Sequence, residues 1–184
     1  MHILMCNDDG ILADGLRQLA TYLSQYYRVT VVAPATEQSA KSHALTTEIP
    51  LKLDAYNGED ENPRLYALTG TPSDCMKFGL SYLLADDMPD LVISGINHGF
   101  NLGSDVLYSG TVSAAMESAF YGIPGLALSV ERYSVERGHE MHPFIHELIE
   151  KIYVNGNFEG LLNVNFPLRG ICDWDHFKLV SQGL

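Results

Sequence analysis

"MHILMCNDDG", residues 1–10, sets an apolar run directly against two adjacent aspartates. "HILMC" (2–6) reads as a buried strand, so Asn7, Asp8, Asp9 and Gly10 fall where that strand ends. Each carboxylate is costly to desolvate, and at this spacing the two repel. The pattern predicts something positive between them. The residues beyond Gly10 decide both the sheet that carries this turn and the chemistry it serves.

Leu16, Leu19, Ala20 and Leu23 follow helical spacing, with Asp14 as the expected N-cap. "RVTVVAP" (28–34) is a second strand, rich in β-branched residues and closed by proline. A strand, a loop, a helix and a strand in that order imply a parallel sheet. Residues 35–48, "ATEQSAKSHALTTE", are polar and irregular and are expected to form a loop. "IPLKLDAY" and "PRLYALTG" read as two strands joined by the acidic turn "NGEDEN", and Pro72 opens a helix reaching about Leu84. "DLVISG" (90–95) is a further buried strand, followed by a glycine-spaced loop, "INHGFNLGSDVLYSG". Thr111 is expected to cap a helix through Phe120, with Val112, Ala115, Met116 and Ala119 on one face. "GLALSV" (125–130), a helix near 143–153 and the strand "LLNVNF" complete the alternation. The fold class is α/β, a doubly wound and mostly parallel sheet.

The 184 residues suit one α/β domain over 1–184 with a sizeable core. Apolar residues make up 46 % and charged residues 18 %, which argues against disorder. The formal net charge of −12 argues against binding a nucleic-acid duplex through its backbone, which needs a basic face. A small anionic substrate is still compatible, provided a bound metal reverses the sign locally. Cys6, Cys75 and Cys172 form no CxxC pair, and no apolar run approaches the ~18 residues of a membrane span. A reduced cytoplasmic chain without a membrane partner is the expectation.

In open α/β sheets, ligands bind beyond the carboxyl ends of the strands, at the topological switch point. Three polar clusters fall at such ends: "NDDG" (7–10), "EQSAKS" (37–42) and "SGINHGFN" (94–101). Asp8, Asp9, Ser39 and Asn97 together would offer hard oxygen ligands to magnesium, manganese or a similar cation. Taken singly, each has an ordinary reading: a capped turn, a loop hydroxyl, a turn asparagine. Their coincidence at consecutive strand ends favours a site. "LYSGTVSAAMESA" (107–119) adds a Ser-Gly-Thr turn entering a helix, which suits a phosphate beside a metal although it also suits a plain cap.

Rival readings fare worse. "NDDGILADG" lacks the GxGxxG of dinucleotide-binding folds. An aspartyl nucleophile is usually found as D-x-D, on one side of an extended strand, whereas Asp8 and Asp9 are adjacent. His139, His142 and His146 flank Pro143 without a carboxylate motif and read as ordinary helix residues. His43 and His98 fall in the candidate site loops, as groups able to protonate a leaving group or contact substrate.

At these residues the sequence resembles the SurE family, the stationary-phase survival proteins that act as metal-dependent nucleotidases. The resemblance is carried by "ILMCNDDG" (3–10), "VVAPATEQSAKSHALT" (31–46), "LTGTPSDC" (68–75), "SGINHGFNLGSDVLYSGTVSAAME" (94–117), "GIPGLALS" (122–129) and "LNVNFP" (162–167). It implies a Rossmann-like core and hydrolysis of nucleoside monophosphates to nucleoside and phosphate. It further implies one divalent ion per subunit held by Asp8, Asp9, Ser39 and Asn97, and phosphate contacts at Asn101, Ser109, Gly110 and Thr111. The implied chemistry is attack by water, with the ion acidifying that water, Asp8 or Asp9 orienting it, and residues 109–111 supporting the phosphoryl oxygens. Ala35 and Thr36 replace the charged pair common in the family, and Lys41 stands where a small residue is usual. The chain stops at "VSQGL" (180–184), inside an expected strand, so it reads as C-terminally shortened, with a homodimer or homotetramer expected. A nucleotide or metal sensor without turnover would carry the same ligands.

Overall fold

Strand β1 (His2–Cys6) is buried along its whole length and pairs in parallel with β2 (Arg28–Pro34) on one side and β5 (Leu91–His98) on the other. Its side chains alternate between two cores, as period-2 geometry requires. Ile3 and Met5 face one, with Leu16, Leu19 and Leu23 of α1 (Asp14–Leu23) and Met141, Ile145 and Leu148 of α4 (Val135–Leu148). Leu4 and Cys6 face the other, with Cys75 and Met76 of α2 (Pro72–Phe78) and Ala114 of α3 (Gly110–Glu117). A strand buried on both faces reads as a continuous apolar run, which is what "ILMC" (3–6) is.

The computed structural model describes residues 1–58 and 60–182. The remaining strands are β3 (Leu53–Ala55), β4 (Arg64–Leu68), β6 (Gly125–Val130) and β7 (Leu161–Phe166). Among the described residues, one seven-stranded sheet has the order β3-β4-β2-β1-β5-β6-β7, parallel except for the β3–β4 pair. The chain moves from β1 towards β4 on one side and then crosses to β5 on the other. The direction therefore reverses between β1 and β5, and the carboxyl end of β1 stands at the switch point.

Several element ends differ from the sequence expectation. Ala13, not Asp14, occupies the cap of α1 and makes no side-chain cap bond, and Asp14 is the first helical residue. Helix α3 is capped by Ser109, whose Oγ accepts from the Val112 N–H, and Thr111 lies inside the first turn. Met116 and Ala119 are exposed, while Thr111, Ala114 and Glu117 are buried. The helix lies against both the sheet and α2, so its buried face is wider than one amphipathic stripe. β5 continues to His98 past a register shift between Ser94 and Asn97, which puts Asn97 on the sheet. α4 begins at Val135, capped by Ser134, and carries Pro143 in its interior. The burial of Met141, Phe144, Ile145 and Leu148 outweighs the missing amide. Residues 177–182 form no strand, and Gly183 and Leu184 lie outside the described residues. Among the described residues, no helix is long and apolar enough to cross a membrane.

His142 of α4 is a buried polar group against Tyr22, and its Nε2 has no hydrogen-bond partner among the described residues. Burial, and then the nearby His139, lower its pKa from 6.5 to about 4. The folded protein binds this proton less readily than the unfolded chain. The contribution of His142 is therefore fully present above about pH 6.5 and is lost as pH falls towards 4. His142→Leu removes the unsatisfied nitrogen and the titration together. Its melting temperature relative to wild type should rise between about pH 7.5 and about pH 5, and a pH-independent difference would contradict this assignment.

Candidate active site

The turn after β1 is built by Asn7. Its Nδ2 donates to the Gly10 carbonyl and its Oδ1 accepts from the Gly10 N–H, both at 3.1 Å. Gly10 sits at φ +101°, in the region that disfavours a side chain. The bend takes Asp8 and Asp9 out of the strand's alternation, so both serve the carboxyl end of the sheet. Asp8 is 5 % exposed, and its Oδ1 accepts from Thr111 Oγ1 at 2.5 Å. A Cβ on Gly110 would stand 2.9 Å from the Asp8 Cβ and 3.0 Å from its Oδ2. The first turn of α3 can approach the carboxylate this closely because residue 110 has no side chain.

Loops from three strands close around this contact. The Gln38 N–H donates to the Asp8 carbonyl at 2.7 Å, joining the loop after β2 to the turn after β1. Ser42 bonds across to the segment before α3, its N–H to the Tyr108 carbonyl at 3.2 Å and its Oγ to the Leu107 carbonyl at 2.8 Å. His43 Nε2 pairs with the buried carboxylate of Glu117 on α3. Sequence reasoning misses this pair as a unit, because its members lie on separate motifs 74 positions apart.

The electrostatics follow from burial. Desolvation raises the Asp8 carboxyl pKa, against the opposing pull of the Thr111 hydroxyl. Desolvation, then the charge of Asp8, raise Asp9 to about 6, with Glu37 adding to both and a hydrogen bond at the His98 backbone opposing. One buried and one half-buried carboxylate resist joint ionisation, a conflict that a cation between them would relieve. Among the described residues, no three His, Cys, Asp or Glu side chains are grouped as a metal cluster. A cation here would rest on the two aspartates and on neutral oxygens, a donor set that fits magnesium or manganese.

The other expected residues divide. Asn97 lies at the end of β5, its Nδ2 given to the Gly99 carbonyl at 2.9 Å, so its Oδ1 is the atom suited to a cation. Ser39 is exposed, and its hydroxyl donates to Glu37 Oε1 at 2.7 Å rather than to either aspartate. Ser109, Gly110 and Thr111 form the buried start of α3. Asn101 is buried, with its Nδ2 donating to Ser129 Oγ at 2.8 Å. A groove lined by Tyr26, Arg28, Asn62 and Arg64 lies at the opposite end of the sheet, where β2 and β4 begin.

A doubly wound sheet with paired carboxylates at its switch point, one of them seated on a helix start, defines a Rossmann-like α/β protein with an acidic site. The family profile described as Survival protein SurE matches residues 3–184, and the chain belongs to the SurE family. A 5'-nucleotidase SurE of Thermoanaerobacter sp. (strain X514) is 50 % identical over 168 residues, covering 91 % of this chain and 66 % of that protein. One from Thermosipho melanesiensis is 47 % identical over 184 residues, covering 99 % of this chain and 71 % of the relative. The chain thus spans about two thirds of the length of these relatives. The crystal structure of the SurE protein from Aquifex aeolicus superimposes with a TM-score of 0.84 at 36 % identity, covering 100 % of this chain and 73 % of that one.

The raised Asp9 pKa has a thermodynamic consequence in metal-free protein. The folded state holds this proton to about pH 6, against an ordinary 3.8. The associated stability is complete below about pH 3.8 and is lost as pH rises through about 6. Asp9→Asn has no such titration. In chelator, the melting temperature of wild type minus that of Asp9→Asn should fall as pH rises and level off above about pH 7. A difference that is flat with pH would return Asp9 to an ordinary solvated turn residue.

Proposed function

We propose that this chain is a metal-dependent phosphomonoesterase that hydrolyses nucleoside monophosphates to nucleoside and phosphate. The observation that carries the reading is the Asp8 carboxylate, buried against the first turn of α3 with Asp9 beside it. The name of the relatives, 5'-nucleotidase, supports the substrate class.

Asp8, Asp9 and the Asn97 oxygen would hold one divalent ion, and Ser39 would join them by turning its hydroxyl away from Glu37. Bound there, the ion supplies a counter-charge for the phosphoryl oxygens and a more acidic water. The chain's own residues do the rest. Thr111 fixes the Asp8 carboxylate in one orientation. Asp9, whose oxygens accept from no hydroxyl among the described residues, takes the proton of the attacking water. The start of α3 at Ser109, Gly110 and Thr111, with the positive end of the helix dipole, supports the phosphoryl oxygens, and Asn101 adds an amide donor. His98, exposed beside Asp9, is placed to protonate the leaving oxygen. A homodimer or homotetramer in the cytoplasm belongs to the same reading, supported by Leu179 and Val180, both 80 % exposed.

Release of phosphate from nucleoside monophosphates should require manganese or magnesium and stop in excess chelator. Asp8→Asn should lower kcat/KM by about 100-fold or more, the scale of a lost electrostatic contact in the transition state. Many turnovers per subunit distinguish an enzyme from a sensor with the same ligands. Full activity after metal stripping, or metal-dependent binding without turnover, would overturn the proposal.

A further inference from the structure

Asn101 lies in the loop after β5 between two apolar neighbours, and its burial runs opposite to theirs. Phe100 is 41 % exposed and Leu102 is 52 % exposed, whereas Asn101 between them is 6 % exposed. Hydrophobicity would turn this loop the other way, so polar bonds decide its facing. They come from β7. The Asn101 N–H donates to Asn165 Oδ1 at 2.9 Å, and the Asn101 carbonyl accepts from Asn163 Nδ2 at 2.8 Å and from Asn165 Nδ2 at 3.2 Å. Asn165 Nδ2 also reaches Asn163 Oδ1 at 3.3 Å, which braces the two amides against each other.

The strand pattern explains how one element supplies both. Asn163 and Asn165 are two residues apart and share a face of β7, while Leu162, Val164 and Phe166 on the other face pack into the core under α1 and α4. Among the described residues β7 is an edge strand, whose polar side chains can be satisfied by water without an internal partner. Solvation alone would not bring two amides onto both polar groups of a single residue. The register adds a second link: Asn97 of β5 pairs with Ser129 of β6, and Ser129 pairs with Asn165 of β7. One row across three strands thus joins an expected metal ligand, the hydroxyl that receives the Asn101 amide, and the residue that grips the Asn101 backbone.

We propose that Asn163 and Asn165 are positioning residues that clamp Asn101 and so aim its amide at the anion. The inference rests on the reading of Asn101 as a phosphate contact. One Nδ2 hydrogen of Asn101 goes to Ser129; the other has no acceptor among the described residues and is the one offered to a phosphate oxygen. Neither clamp residue touches the anion; each acts through Asn101.

Affinity for inorganic phosphate, titrated calorimetrically into manganese-loaded protein, tests this without requiring turnover. Asn165→Leu, nearly isosteric, leaves the Asn101 N–H without its acceptor and the carbonyl with Asn163 alone, and should weaken phosphate binding about tenfold, the scale of one net hydrogen bond. Asn163→Leu should weaken it less, about threefold, because Asn165 still serves the carbonyl. Val164→Ala, on the opposite face of the same strand, is the control: it should lower the melting temperature and leave phosphate affinity unchanged. If Asn165→Leu fails to fold, Asn163→Leu against Val164→Ala decides alone. Phosphate affinity within about twofold of wild type in the Asn variants, or an equal loss in Val164→Ala, overturns the clamp while leaving the phosphatase reading intact. A wild type that binds phosphate through the clamp but never releases it from nucleotides supports the clamp and sinks that reading. A wild type that binds no phosphate sinks both.

Discussion

The contact between Asp8 and the first turn of α3 organises the carboxyl end of the sheet. A carboxylate buried to 5 % exposure is costly unless something compensates. Here the Thr111 hydroxyl supplies a hydrogen bond at 2.5 Å and the helix start adds its dipole. That arrangement dictates the glycine at 110, because a Cβ there would collide with the Asp8 side chain. Ser109, one position before the helix, caps it by accepting from the Val112 N–H. α3 is therefore pinned across the end of β1, and the loop after β2 is drawn in through Gln38.

The contact leaves a second charge that the His98 backbone hydrogen bond compensates only in part. Asp9 comes next in the same tight turn, half-buried, with Asp8 and Glu37 both opposing its ionisation. A fold selected for stability alone would not keep that pair. Natural proteins tolerate such local conflict at functional sites and offset it elsewhere. The offset here is a continuous two-faced core along β1, β2 and β5, and loops anchored by specific polar bonds. The same logic holds at Asn101, where four amide-mediated bonds hold a loop that its apolar neighbours would turn outward.

Much of this is legible in the sequence. "HILM" and "RVTVVA" announce strands buried in the sheet, and the adjacent aspartates mark the end of the first strand, which the fold puts at the switch point. Local patterns fail where a distant partner decides. Thr111 looks like a cap until its hydroxyl is given to a residue 103 positions away. Pro143 looks like a helix start, but the core residues around it carry the helix through. Asn163 and Asn165 read as polar positions on a strand, and their spacing on one face is the available signal. What the pattern does not show is that both converge on Asn101, 62 and 64 positions away. Ser39 is exposed with its hydroxyl on Glu37, a side-chain orientation that sequence spacing does not encode.

The most direct measurement is on Gly110→Ala, with Ser113→Ala as reference. Ser113 is buried on the same helix, and its hydroxyl donates to the Ser109 carbonyl rather than to Asp8. If the approach of α3 to Asp8 organises the site, Gly110→Ala lowers the melting temperature by the equivalent of about 1–3 kcal/mol of overpacking. The same variant also loses most of the manganese-induced rise in melting temperature, whereas Ser113→Ala loses stability alone and keeps the full metal response. Helix propensity by itself predicts the opposite sign, a gain of up to about 1 kcal/mol for alanine over glycine. A Gly110→Ala protein that is more stable than wild type, with an undiminished response to manganese, would contradict the account.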